Sequence, residues 1–160
     1  MSDLTNTDYL ECLLKSLSIK STESLSWLNQ LRAKAIERVS TQKLPTRRDE
    51  EWRFTDISPL THLPYQPSKL ECNLHAHDIE HLTLKEAKNR LVFVDGHYSQ
   101  DLSTISDSAA LVIGNLPAFV ATHASILESH VGQYVQFDNN VFAALNPAFL
   151  RHGASIIVPK

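Results

Sequence analysis

Four glycines, Gly96, Gly114, Gly132 and Gly153, are scattered over 160 residues. A phosphate-cradling loop needs several glycines within a few positions, so nucleotide binding of the P-loop or Rossmann type is excluded for this segment. Only two cysteines occur, Cys12 and Cys72, and no Cys-x-x-Cys pair exists. That removes zinc or iron–sulfur sites built on neighbouring thiolates. A basic excess is missing as well. The formal net charge is -3 and the pI about 6.2, a poor footprint for a partner of nucleic acid. The polar, acidic start Met1-Ser2-Asp3 is unlike a secretory leader, and no apolar run approaches the length of a membrane span. The expectation is a cytoplasmic protein with reduced thiols.

What is present suits a globular body. The apolar share is 42% and the charged share 21%, and 160 residues can bury a core without disulfide or metal staples. Tyr9, Leu10, Leu13, Leu14 and Leu17 recur at helical spacing, with Asp8 and Glu11 as a capping pair at the start. A polar break at Lys20-Ser21-Thr22 precedes a second helix from about Ser24 to Val39. Its stripe is Leu25, Leu28, Leu31, Ala35 and Val39, flanked by Trp27 and Ile36. The pair predicts a helical hairpin over 1–43.

Prolines at 45, 59, 64 and 67 then forbid a long helix over 44–69. The aromatic and aliphatic residues Trp52, Phe54, Ile57, Leu60, Leu63 and Tyr65 predict an extended connection anchored to the body.

From 70 to 153 an α/β body is expected. Leu70, Cys72, Leu74 and Ala76 alternate with polar residues, as do Leu82 and Leu84, and read as strand. Leu91-Val92-Phe93-Val94 is a strand followed by the hairpin turn Asp95-Gly96 and a return at His97-Tyr98-Ser99. Leu111-Val112-Ile113 is a further strand closed by Gly114. Helical spacing resumes from Pro117 to Val131. Asn139-Asn140 can cap a helix through Val141, Phe142, Leu145, Phe149 and Leu150, interrupted at Pro147 and ended by Gly153. The run Ile156-Ile157-Val158 then begins a strand at 154–160. The fold class is α+β: a helical hairpin and a small mixed or antiparallel sheet with helices.

Few constellations carry chemistry. Residues 77–81 match His-x-x-Glu-His, the inverted zinc-peptidase pattern, which would make His77 and His81 ligands and Glu80 the general base of a zinc-dependent hydrolase. That chemistry needs a helix with both histidines on one face, whereas the preceding residues alternate like a strand. The alternative reading is a solvated His-rich connection. Arg47, Arg48 and Trp52 interleave like a nucleic-acid stacking site, but three arginines face four acids between 47 and 56, a mixture suited to local ion pairs. His97 near Ser99 and His123 near Ser125 lack a nucleophile elbow and a glycine-built oxyanion site. His130 and His152 are expected to meet carbonyls at helix ends. No catalytic, cofactor-binding or metal-binding residue is assigned, no cofactor is expected, and the chain reads as a non-enzyme.

Three segments together resemble the SufD family: Leu44-Pro-Thr-Arg-Arg-Asp-Glu-Glu-Trp-Arg-Phe-Thr-Asp56, Leu91-Val-Phe-Val-Asp-Gly-His-Tyr98, and Asn140-Val-Phe-Ala-Ala-Leu-Asn-Pro-Ala-Phe-Leu150 running on to Lys160. The resemblance implies an N-terminal α/β region leading into the first strand of a right-handed parallel β-helix. It also implies a scaffold acting with SufB and the ATPase SufC in iron–sulfur cluster assembly, mainly through regions beyond this segment. No nucleic-acid or membrane partner is expected. Expressed alone, the segment is expected to self-associate through Ile156-Ile157-Val158, an outcome that Ile157→Lys would weaken.

Overall fold

The computed structural model describes residues 6–17, 25–63, 68, 73–106 and 111–159, the side chains of 6–8 excepted. Seven helices and four strands follow in chain order among them. They are α1 (Asn6–Ser16), α2 (Ser26–Thr41), the single turns α3 (Ser58–Thr61) and α4 (Ala76–Ile79), β1 (Arg90–Val94), β2 (His97–Thr104), β3 (Val112–Asn115), α5 (Leu116–Thr122), α6 (Ala124–His130), α7 (Val141–Ala148) and β4 (Ala154–Ile157). The chain divides into two compact units, one of residues 1–67 with 128–150, the other of 68–127 with 151–160. The expected Asp8 cap, the break at 20–22, Leu70, Cys72 and Tyr65 lie outside the described residues or side chains.

The first unit is a helical packing. In α2, Leu28, Ala35 and Val39 are fully buried, three positions of the predicted stripe. Leu10 of α1 joins a core that holds Ala35, Val39, Leu44, Ile57 and residues of α7. The α7 start is set by Asn140, whose Oδ1 accepts from the N–H groups of Phe142 and Ala143 at 3.0 Å each. Pro147 sits inside α7 and has no N–H to continue the ladder; the helix ends one residue later, at Ala148. A side chain of α2, Arg32, and that of its C-cap residue, Gln42, then hold the exit and approach of α7. Gln42 Nε2 donates to the carbonyls of Phe137 (3.2 Å) and Asp138 (2.6 Å). The Arg32 guanidinium donates twice to the Leu150 carbonyl, at 3.0 and 2.6 Å.

The proline-rich connection is only partly extended. A 3-10 turn at Glu50–Trp52 and the turn α3 interrupt it. Leu44 and Ile57 are buried, and the Trp52 ring lies 5.4 Å from that of Phe142. Phe54 departs from the expectation: it is 91% exposed and anchors nothing. Leu60 and Leu63 are exposed as well.

The second unit is built from two antiparallel ribbons, β1–β2 and β3–β4. Asp95 and Gly96 both adopt positive φ, 49° and 84°, which makes the tight primed turn that the Asp-Gly pair predicts. Val94, Phe93 and Val92 pair with His97, Tyr98 and Ser99, and the register then shifts before Arg90 meets Thr104. Ser103 repairs the bulge: its hydroxyl accepts from the Val92 N–H at 2.9 Å and donates to the Ser99 carbonyl at 2.6 Å.

Three expectations are corrected in residues 70–160. The described end of the first alternation, Leu74 and Ala76, and the second one, Leu82 and Leu84, are not strand. Ala76 opens α4, Leu82 ends a 3-10 turn at Glu80–Leu82, and Leu82 and Leu84 are exposed. Period-two spacing over so few residues does not distinguish strand from short helical turns. The helix predicted over 117–131 is two helices, broken at His123, whose φ of -132° and ψ of 33° leave the helical region. Finally, the run expected to self-associate is already paired along one edge within the chain. β4 pairs with β3 in the register Val112–Ile157, Ile113–Ile156, Gly114–Ser155 and Asn115–Ala154.

Candidate functional site

The His-x-x-Glu-His segment folds as α4 followed by the 3-10 turn Glu80–Leu82. At Ile79 the backbone leaves the α-helical region (φ -106°, ψ 0°), so His77 and His81 are not stacked one α-turn apart on a continuous helix. Asp78 is already engaged. Its Oδ2 accepts from the His75 N–H at 2.8 Å, and its Oδ1 lies 3.0 Å from His77 Nε2. The His75 N–H holds the Asp78 carboxyl below its ordinary range. The His75 and His77 rings stack at 5.6 Å. All of this is exposed surface. Among the described residues no three His, Cys, Asp or Glu side chains converge to hold a metal ion. The geometry is that of a self-capped surface turn, and the zinc-hydrolase alternative is not favoured.

The other sequence candidates are also committed locally. Trp52 is half-buried, with its ring tilted against that of Phe142 at 5.4 Å. Thr46 donates its N–H (2.7 Å) and its hydroxyl (3.1 Å) to Asp49 Oδ2, and these two bonds lower the Asp49 pKa. Arg53 lies over the Phe54 ring at 5.5 Å. His97 Nε2 is 3.1 Å from the Ser68 carbonyl, not directed at Ser99. His123 Nδ1 pairs with the Thr122 hydroxyl at 2.7 Å and its ring meets Phe119. His130 stands in the last turn of α6, and His152 lies close behind α7. His130 bonds and stacks with Tyr134, and His152 stands edge-on to His97 at 4.9 Å.

The first unit carries two open grooves and the exposed aromatic side chain of Phe54. In the first unit a groove of about 620 Å³ is lined by Leu44, Trp52 and Val141 with Asp49, Glu50 and Glu51. A second groove, of about 420 Å³, is more apolar, with Leu31, Phe137, Phe142 and Leu150 among its walls. The turn that precedes Phe54 is firmly built: Trp52 N–H donates to the Asp49 carbonyl at 3.0 Å and Thr55 N–H to the Trp52 carbonyl at 2.9 Å. It presents Phe54 as a fixed aromatic knob.

In the second unit the β3–β4 ribbon has one covered and one open face. Directly paired residues share a face, so Val112, Gly114, Ser155 and Ile157 lie on one side and Ile113, Asn115, Ala154 and Ile156 on the other. The Phe119 ring of α5 packs over the first side. A Cβ on the buried Gly114 would sit 3.1 Å from Phe119 Cε2. On the second side Ile156 is 60% exposed, and Val158 continues it at 69%. Sequence periodicity marked the apolar run but not which of its residues face outward, because that depends on the register with β3.

Comparison with known proteins places the chain in a family. A profile of the SufBD protein N-terminal region matches residues 4–160. An iron-sulfur cluster assembly SufBD family protein of Synechocystis sp. is 30% identical over 152 residues, which is 94% of this chain and 33% of the relative. The chain thus spans about a third of the length of the curated relative it matches. With nearly every residue inside the family profile and the three sequence segments in family order, the chain belongs to the SufBD family, as its N-terminal region.

Proposed function

We propose that the chain is the non-catalytic N-terminal module of a SufD-like scaffold subunit, which acts in the cytoplasm with SufB and SufC to assemble iron–sulfur clusters. The family match over residues 4–160 carries this reading. Three further observations support it. The segments 44–56, 91–98 and 140–150 resemble SufD rather than SufB. The histidines and carboxylates singled out in the sequence serve local capping and stacking, as a structural module requires. No helix among the described residues is long and apolar enough to cross a membrane.

In this reading the iron–sulfur cluster is cargo. The cluster ligands, the surface that pairs with SufB and the surface that docks SufC belong to a β-helix and a C-terminal region of the longer subunit. The module caps the first coil of that β-helix, and β4 leads into it. Stacked repeats need a cap that covers their terminal apolar face.

The test is affinity purification of the longer subunit that carries this region, from cells that also express SufB and SufC. Co-purification of both, and restored activity of iron–sulfur enzymes in cells that lack their own SufD-type subunit, are the expected results. A well-folded subunit that recovers neither partner and restores no enzyme would defeat the reading.

A further inference from the structure

We draw no further inference here: the strongest candidate, the groove of the first unit lined by Leu44, Trp52 and Val141 with the carboxylates of Glu50 and Glu51, is an acidic cluster beside apolar side chains, and nothing in the structure shows what covers it.

Discussion

Trp52 and Phe54 stand two positions apart in a hydrogen-bonded turn and have opposite environments. One packs on Phe142; the other is 91% exposed. Sequence reasoning treated both as anchors because hydrophobicity does not encode direction within a turn. Stability should separate them. Phe54→Ala is expected to leave the denaturation midpoint within about 0.5 kcal/mol of wild type, as exposed sites do. Leu28→Ala, at a fully buried position of α2, is expected to cost about 2–5 kcal/mol through lost transfer energy and a residual cavity. Urea unfolding of both variants checks the contrast. A Phe54 variant as costly as the core one would mean that the ring is packed in solution.

Asp78 gives a residue-level expectation in pH. Its carboxylate accepts the His75 N–H, and folding lowers its pKa. A lowered folded pKa means that the contribution is fully present above the ordinary carboxylate range. It is lost as pH falls through the folded value. Carboxyl titration by NMR should therefore find Asp78 ionising below a model aspartate, with the His75 amide signal moving at the same midpoint. An Asp78 midpoint at or above the model value would break the assigned bond.

At the scale of elements, the helices and the Asp-Gly hairpin were legible in the sequence, for physical reasons. The α2 stripe repeats over enough turns for the helical period to stand out, and Asp95-Gly96 has few conformational choices. The single helix over 117–131 failed because its break falls on His123, which no glycine or proline announces. The strand reading failed at Leu74 and Ala76 because the alternation there is too brief to set a period. The β3–β4 pairing was illegible for another reason: it joins segments about 40 residues apart, and local pattern carries no register. Two glycines test these ribbons. Gly96→Ala meets nothing within 4 Å and pays only for its φ of +84°, about 1 kcal/mol. Gly114→Ala brings a methyl to 3.1 Å from Phe119 Cε2, so the ring must give by a few tenths of an ångström. It is expected to be the costlier of the two, with altered Phe119 ring shifts as its signature. Equal costs would count against α5 covering that face.

For the whole molecule, the family is what the comparisons establish: the chain is the N-terminal region of a SufBD family protein. The net charge of -3 and the few glycines removed nucleotide and nucleic-acid chemistry at the outset. The resemblance carried by 44–56, 91–98 and 140–150 identified the family, which the profile over residues 4–160 then bore out. The candidate surface was less legible. The run at 156–158 was visible, yet Ile157→Lys, the substitution suggested by sequence, strikes the side that α5 covers. The informative position is its neighbour, Ile156.

The alternation within β4 also sets a rule for anything that joins it. A strand seated one residue out of step would offer its bonding groups where β4 turns its own inward, and its side chains would exchange faces. The β4 residues thus act as a phase reference: they admit an incoming strand in every second position and reject the positions between.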